Sequence, residues 1–135
     1  MTKTLTTTKM TLSSSSQKWL RPTRTTITFI YEICNEPNGG ITWTGGIKSY
    51  CQSVVSAIRK YDSDAIIICG TGTWSQDIDQ VLGNKLSDKN CVYALHFYAD
   101  THRDWLRNRL QNCYNKGLPV LVSEFGTCDA SGNGG

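Results

Sequence analysis

Apolar and polar positions divide the chain into two unlike stretches. Over residues 1–30 threonine and serine dominate, as in Thr6 to Thr8 and Ser13 to Ser16, and the few apolar residues follow no sustained period. Such a stretch cannot bury enough apolar surface to order itself, so it reads as disordered. Downstream the pattern is regular. Ile27 to Asn35 is rich in β-branched and aromatic residues and is stopped by Pro37 and Gly39-Gly40, which predicts a strand and a loop. Ile47, Tyr50, Val54, Ile58 and Tyr61 recur at steps of three and four and predict one face of a helix. Ala65 to Gly70 is a short continuous apolar run, the pattern of a strand covered on both faces. A polar loop, Gly70 to Thr73, and a short helical turn over Asp77 to Leu82 lead to a third strand, Cys91 to Tyr98. A helix from about Asp104 to Lys116, with Trp105, Leu106, Leu110 and Cys113 or Tyr114 on its core side, ends at Gly117. Leu118 to Glu124 is the fourth strand. Strands alternating with helices predict an α/β fold of parallel strands joined by right-handed crossovers.

Length and composition narrow the picture. At 135 residues and 39% hydrophobic content, the chain can build one globular core. The net charge of +3 is misleading, because residues 1–30 carry five bases and no acid, leaving nine bases against 11 acids in the remainder. A mildly acidic folded part offers no surface for nucleic acid. No run is long and apolar enough to span a membrane, and the N-terminus lacks the features of a signal peptide. Six cysteines (Cys34, Cys51, Cys69, Cys91, Cys113, Cys128) form no CxxC pair, which argues against zinc. Buried thiols are expected, with one or two disulfides as the alternative.

In parallel α/β folds the reactive groups gather where strands end. Three of the four predicted strands end in chemically capable side chains: Asn35-Glu36, then His96 and Tyr98, then Glu124. Pro37 biases Glu36 toward an extended backbone at its strand tip. Two carboxyls about 5 Å apart are what a retaining glycosidase uses, one to protonate the leaving oxygen and one to attack the anomeric carbon. Each glutamate alone also reads as an ordinary surface carboxylate. The Gly70-Thr71-Gly72-Thr73 run has no phosphate-loop continuation, and no serine stands in a GxSxG setting.

The strings YEICNEPNG (31–39), GTGTWSQD (70–77), ALHFYA (94–99) and VSEFGT (122–127) resemble, in order and spacing, the later strands of family 5 glycoside hydrolases of the cellulase type. The resemblance implies a partial (β/α)8 TIM barrel, with residues 27–35, 65–71, 91–98 and 118–124 as the fourth to seventh strands and strands 1–3 and 8 missing. It implies a retaining, endo-acting hydrolase of β-1,4-glucan that uses no cofactor or metal, with Glu36 as acid/base, Glu124 as nucleophile, Asn35 on the sugar 2-hydroxyl, and His96 and Tyr98 positioning the reacting groups. Tyr98 is the expected donor to Glu124. Trp74 resembles a sugar-stacking wall, although it also suits a loop anchor; Trp43 is a second candidate, and His102 a third. Trp105 is expected in the core.

The chain departs from the family in supplying about half a barrel, so a weak or inactive product is expected. The first thirty residues do not resemble what precedes YEICNEP in the family, yet a one-base shift over Met1 to Ser16 permits an Asn- and Asp-rich, family-like string. Residues 1–26 are therefore expected to be disordered or out-of-frame, and residues 27–135 to be a partial catalytic domain. A full-length parent would be secreted. Competing readings are a non-catalytic glycan-binding remnant, another β-glycanase such as a mannanase, and a flavodoxin-like domain whose glutamates lie far apart.

Overall fold

The computed structural model describes residues 29–134. The expectations for residues 1–26, and the first two residues of the first predicted strand, lie outside the described residues. Four strands form one sheet: β1 (Ile30–Glu32), β2 (Ile66–Cys69), β3 (Cys91–Tyr98) and β4 (Val120–Gly126). All neighbours are parallel and the order is sequential, β1-β2-β3-β4. Two helices, α1 (Lys48–Ile58) and α2 (Asp104–Asn115), make the longer crossovers. The β2–β3 crossover instead uses a tight turn at Gly72–Ser75 and a single 3₁₀ turn at Ile78–Val81.

Alternation along the strands sorts side chains to two faces. Ile67, Cys69, Cys91, Tyr93 and Leu95 meet Ile47, Cys51, Val55 and Ile58 near α1, and Ile78, Val81, Leu106 and Cys113 from the other crossovers, in one buried core. The opposite face carries Glu32, His96, Tyr98 and Glu124. The sheet curls into a half-barrel with this polar end on its concave side. The six cysteines are free thiols and no disulfide joins them.

Several sequence expectations are corrected. The β1 ladder covers only Ile30–Glu32, extended by one further bond from the Ile33 amide to the Ile68 carbonyl. Tyr61 lies beyond the end of α1 and is exposed, while Cys51 and Val55 complete the buried stripe. Trp105, expected in the core, is half exposed; its ring meets His102 edge-on and lies under the Arg109 guanidinium. Within α2 the core side consists of buried Leu106 and Cys113 with partly buried Leu110, as expected, while Tyr114 is exposed. Gly117, at φ +68°, closes this helix, and the Leu118 amide turns back to the Cys113 carbonyl.

Candidate active site

Glu36 follows β1 in a segment held from below by the loop after β2. The Ser75 hydroxyl donates to the Asn35 carbonyl at 2.9 Å, and the Trp74 amide donates to the Pro37 carbonyl at 3.0 Å. Gly70 makes this approach possible: a Cβ there would collide with the Cys34 carbonyl and come within 2.8 Å of Pro37 Cδ. The loop itself is left-handed at three consecutive non-glycine residues, Thr73, Trp74 and Ser75 (φ 51°, 53° and 58°). Each such residue costs about 1–2 kcal/mol, so the shape persists only because it is tied down. Thr73 donates to Asp77, which also receives Arg109 Nη1 at 2.6 Å. The result is an indole, Trp74, standing half exposed beside the Glu36 segment.

On the far side, β4 departs from regular pairing. Leu95 pairs with Val122, but His96 pairs with Glu124, so Ser123 is the extra residue of a β-bulge. Regular alternation would send Ser123 and Glu124 to opposite faces; the bulge brings both to His96. His96 is buried, with 2% of its side chain exposed, and is the hub. Its Nδ1 lies 3.0 Å from Glu36 Oε1 and 3.7 Å from Glu124 Oε2, and its Nε2 lies 2.9 Å from Ser123 Oγ. One oxygen of Glu36, one of Glu124 and a ring nitrogen of His96 all fall within 4.8 Å of one another. Such a triangle is compact enough for a cation, but its atoms are already engaged with each other, with Ser123 and with Tyr98.

The Tyr98 hydroxyl donates to Glu124 Oε1 at 2.6 Å. The carboxylate that accepts this proton pushes the phenol above its usual range, with burial adding to the effect. Tyr98 is itself positioned: its amide donates to His102 Nδ1 at 2.7 Å, and Gly126 lies so close under its ring that a Cβ would stand 2.9 Å from Cδ1. His102 is therefore a structural acceptor, and burial depresses its basicity. Asn35 is exposed at the rim beside Glu36.

The sequence-predicted residues Glu36, Glu124, His96, Tyr98, Asn35 and Trp74 thus share one end of the sheet. Trp43 does not join them. It is fully buried, donates Nε1–H to the Asn84 carbonyl at 2.9 Å and packs edge-on against Tyr93, so it is a core anchor with no free face for a sugar. Glu32 and Ser123 were not singled out from the sequence, although each is a polar residue interrupting an apolar strand, which is a readable signal.

Comparison with known proteins decides the family. The family model described as "Cellulase (glycosyl hydrolase family 5)" matches residues 17–134. The chain belongs to glycosyl hydrolase family 5. It is 57% identical over 106 residues to Endoglucanase N of Pectobacterium atrosepticum, covering 78% of this chain and 24% of that protein. An endoglucanase of Clostridium saccharobutylicum is 52% identical over 106 residues, again covering 78% of this chain and 24% of the relative. The chain therefore spans about a quarter of the length of these curated relatives. Among solved structures, the catalytic domain of Thermobifida fusca endoglucanase Cel5A superposes with a TM-score of 0.73 at 41% identity, over 78% of this chain and 36% of that one. The half-barrel is accordingly a partial family 5 barrel, similar to segments of proteins named endoglucanases.

Proposed function

We propose that residues 29–134 carry the two catalytic carboxylates of a retaining endo-β-1,4-glucanase, with cellulose-type chains as substrate. The observation that carries the reading is the separation of Glu36 and Glu124, whose nearest carboxylate oxygens lie within 4.8 Å. That spacing suits direct attack by one carboxylate and leaves no room for the intervening water of an inverting enzyme. It also disfavours an unrelated open α/β domain.

Glu36 is the acid/base. One of its oxygens faces His96 Nδ1 at 3.0 Å, and the carboxyl gives its single proton to the glycosidic oxygen. Glu124 is the nucleophile, oriented by the Tyr98 hydroxyl so that one oxygen faces the anomeric carbon. Attack forms a glycosyl ester on Glu124 as the leaving sugar takes the proton of Glu36. Glu36, now a carboxylate, then removes a proton from water as it attacks the same carbon, restoring both residues. Asn35, exposed beside Glu36, is the side chain we assign to the sugar 2-hydroxyl, and the half-exposed Trp74 indole to an apolar wall for a glucose ring. The relatives are named endoglucanases, and a cellotetraose complex is known for a Thermobifida fusca relative at 40% identity. A polymer of that kind is cut outside cells, which supports an extracellular parent.

With half the barrel present, the 135-residue chain by itself is expected to release little or no reducing sugar. The test replaces the matching segment of the Pectobacterium atrosepticum enzyme by residues 31–134 of this chain. The chimera should hydrolyse carboxymethylcellulose and release the β-anomer first by proton NMR. Glu124→Gln should lower kcat by about 10⁴-fold or more. Release of the α-anomer first would overturn the retaining assignment, and full activity in Glu124→Gln would overturn the nucleophile.

A further inference from the structure

We infer that Glu32 and Ser123 are positioning residues that fix the tautomer of His96, so that its Nδ1 lone pair faces Glu36 and a single proton is shared between them. The argument is an inventory of donors. Ser123 Oγ lies 2.8 Å from Glu32 Oε1 and 2.9 Å from His96 Nε2. A hydroxyl has one proton to give, and the Glu32 carboxylate can only accept, so the serine proton goes to Glu32. The remaining contact closes only if His96 Nε2 carries a proton and donates it to Ser123. In the neutral ring Nδ1 is then bare, and it stands 3.0 Å from Glu36 Oε1. The contact between Nδ1 and Oε1 needs one proton: on Glu36 when the ring is neutral, on Nδ1 when Glu36 is ionised.

The surroundings leave no other way to set the ring. Among the described residues the charged groups around His96 are carboxylates: Glu32 and Glu36 from β1 and its following loop, and Glu124 from β4. The Tyr98 phenol, on β3 itself, gives its proton to Glu124. A neutral ring with the opposite tautomer would point a bare Nε2 at a hydroxyl already committed to Glu32, leaving that 2.9 Å contact without a proton. The β-bulge is what places Ser123 within reach, so the same irregularity that turns Glu124 inward also builds the chain Glu32 to Ser123 to His96 to Glu36. The consequence for turnover rests on reading Glu36 as the acid/base: a bare Nδ1 accepts from the protonated Glu36 and keeps on that carboxyl the proton that it later gives to the leaving oxygen. The tautomer itself does not depend on that reading.

The test needs no turnover. The chain has two histidines, and His102 serves as an internal reference, since its Nδ1 accepts the Tyr98 amide and is independent of Ser123. Nitrogen-15 spectra of the labelled 135-residue chain, recorded where the rings are neutral, should show His96 only as the Nε2–H form. In Ser123→Ala and in Glu32→Gln the Nδ1–H form should rise to a comparable population, with His102 unchanged, and Ser123→Thr should restore the original signature. Glu32→Gln acts by supplying an amide N–H to Ser123, freeing the serine proton for Nε2. His96 as Nδ1–H in the unmodified chain, or an unchanged tautomer in both Ser123→Ala and Glu32→Gln, would overturn the inference. Failure of the chimera to cleave glucan with the tautomer shift intact would instead count against the proposed reaction alone.

Discussion

Tyr98 and Glu124 illustrate how single side chains set the chemistry. The phenol donates over 2.6 Å to the carboxylate read as the nucleophile, and the raised pKa keeps the donor protonated through neutral and mildly alkaline pH. Tyr98→Phe in the chimera should lower kcat about 100-fold, the scale for losing one aimed donor in a site, with a smaller change in KM. Away from the site, Arg59 grips Asp88 through two bonds of 2.7 and 3.0 Å and also caps the Ala65 carbonyl. Its guanidinium holds the Asp88 carboxyl below the usual carboxylate range. A depressed folded-state pKa gives stability that is present above the unfolded value, about 4, and is lost as pH falls through the folded value. Asp88→Asn should therefore destabilise the chain by about 1–3 kcal/mol at neutral pH, and the gap should close in urea titrations as pH falls below about 4 and through the depressed Asp88 value. At this scale the sequence was most legible where chemistry forces a residue type. Glu36, Glu124, His96 and Tyr98 stand together because they lie toward the same end of β1, β3 and β4 in one parallel sheet. Trp43 was misplaced because its burial depends on partners far along the chain, Asn84 and Tyr93, whereas Trp105 stays half exposed against its own neighbours His102 and Arg109.

Secondary-structure elements were legible from period and punctuation: α1, α2 and the four strands fall where apolar spacing put them. What the pattern did not carry is the irregular geometry. Nothing in VLVSE marks Ser123 as an extra residue, since a bulge is set by pairing with Leu95 and His96 on another strand. Likewise three left-handed residues without glycine, Thr73 to Ser75, have no local signature, because the strain is offset by bonds to Pro37, Asp77 and Asn35. This brace makes a prediction at the scale of the element. Gly70→Ala would drive a methyl group into the Cys34 carbonyl and push the Asn35-Glu36 segment away from β2. It should cost about 1–3 kcal/mol, the range for overpacking, and lower the activity of the chimera. Ser75→Ala removes the bond to the Asn35 carbonyl and a longer one from the Thr71 amide, with no new clash, and should cost about 1 kcal/mol. Equal effects of the two substitutions on the denaturation midpoint would show that Gly70 is not a contact point.

For the whole molecule the open sheet is the dominant physical fact. A complete barrel closes eight strands and has no edges; the described residues supply four, so β1 and β4 each present an unpaired side. Phe29, Ile30, Ile66, Val122 and Phe125 are exposed to degrees between 37% and 69%, along a face and edges that a closed barrel would cover. Water-exposed apolar surface beside open strand edges favours pairing with any complementary edge, and in the chain by itself the most available one is a second copy. Light scattering should accordingly show species heavier than the 15.0 kDa monomer that grow with protein concentration. Adding the complementary portion of a family 5 barrel should suppress that growth and yield a one-to-one complex. A monodisperse monomer at all concentrations would mean that the edges are covered in solution by other parts of the chain. The site would still hold its geometry in that case, because its hydrogen bonds run between β1, β3 and β4 and draw nothing from the absent strands.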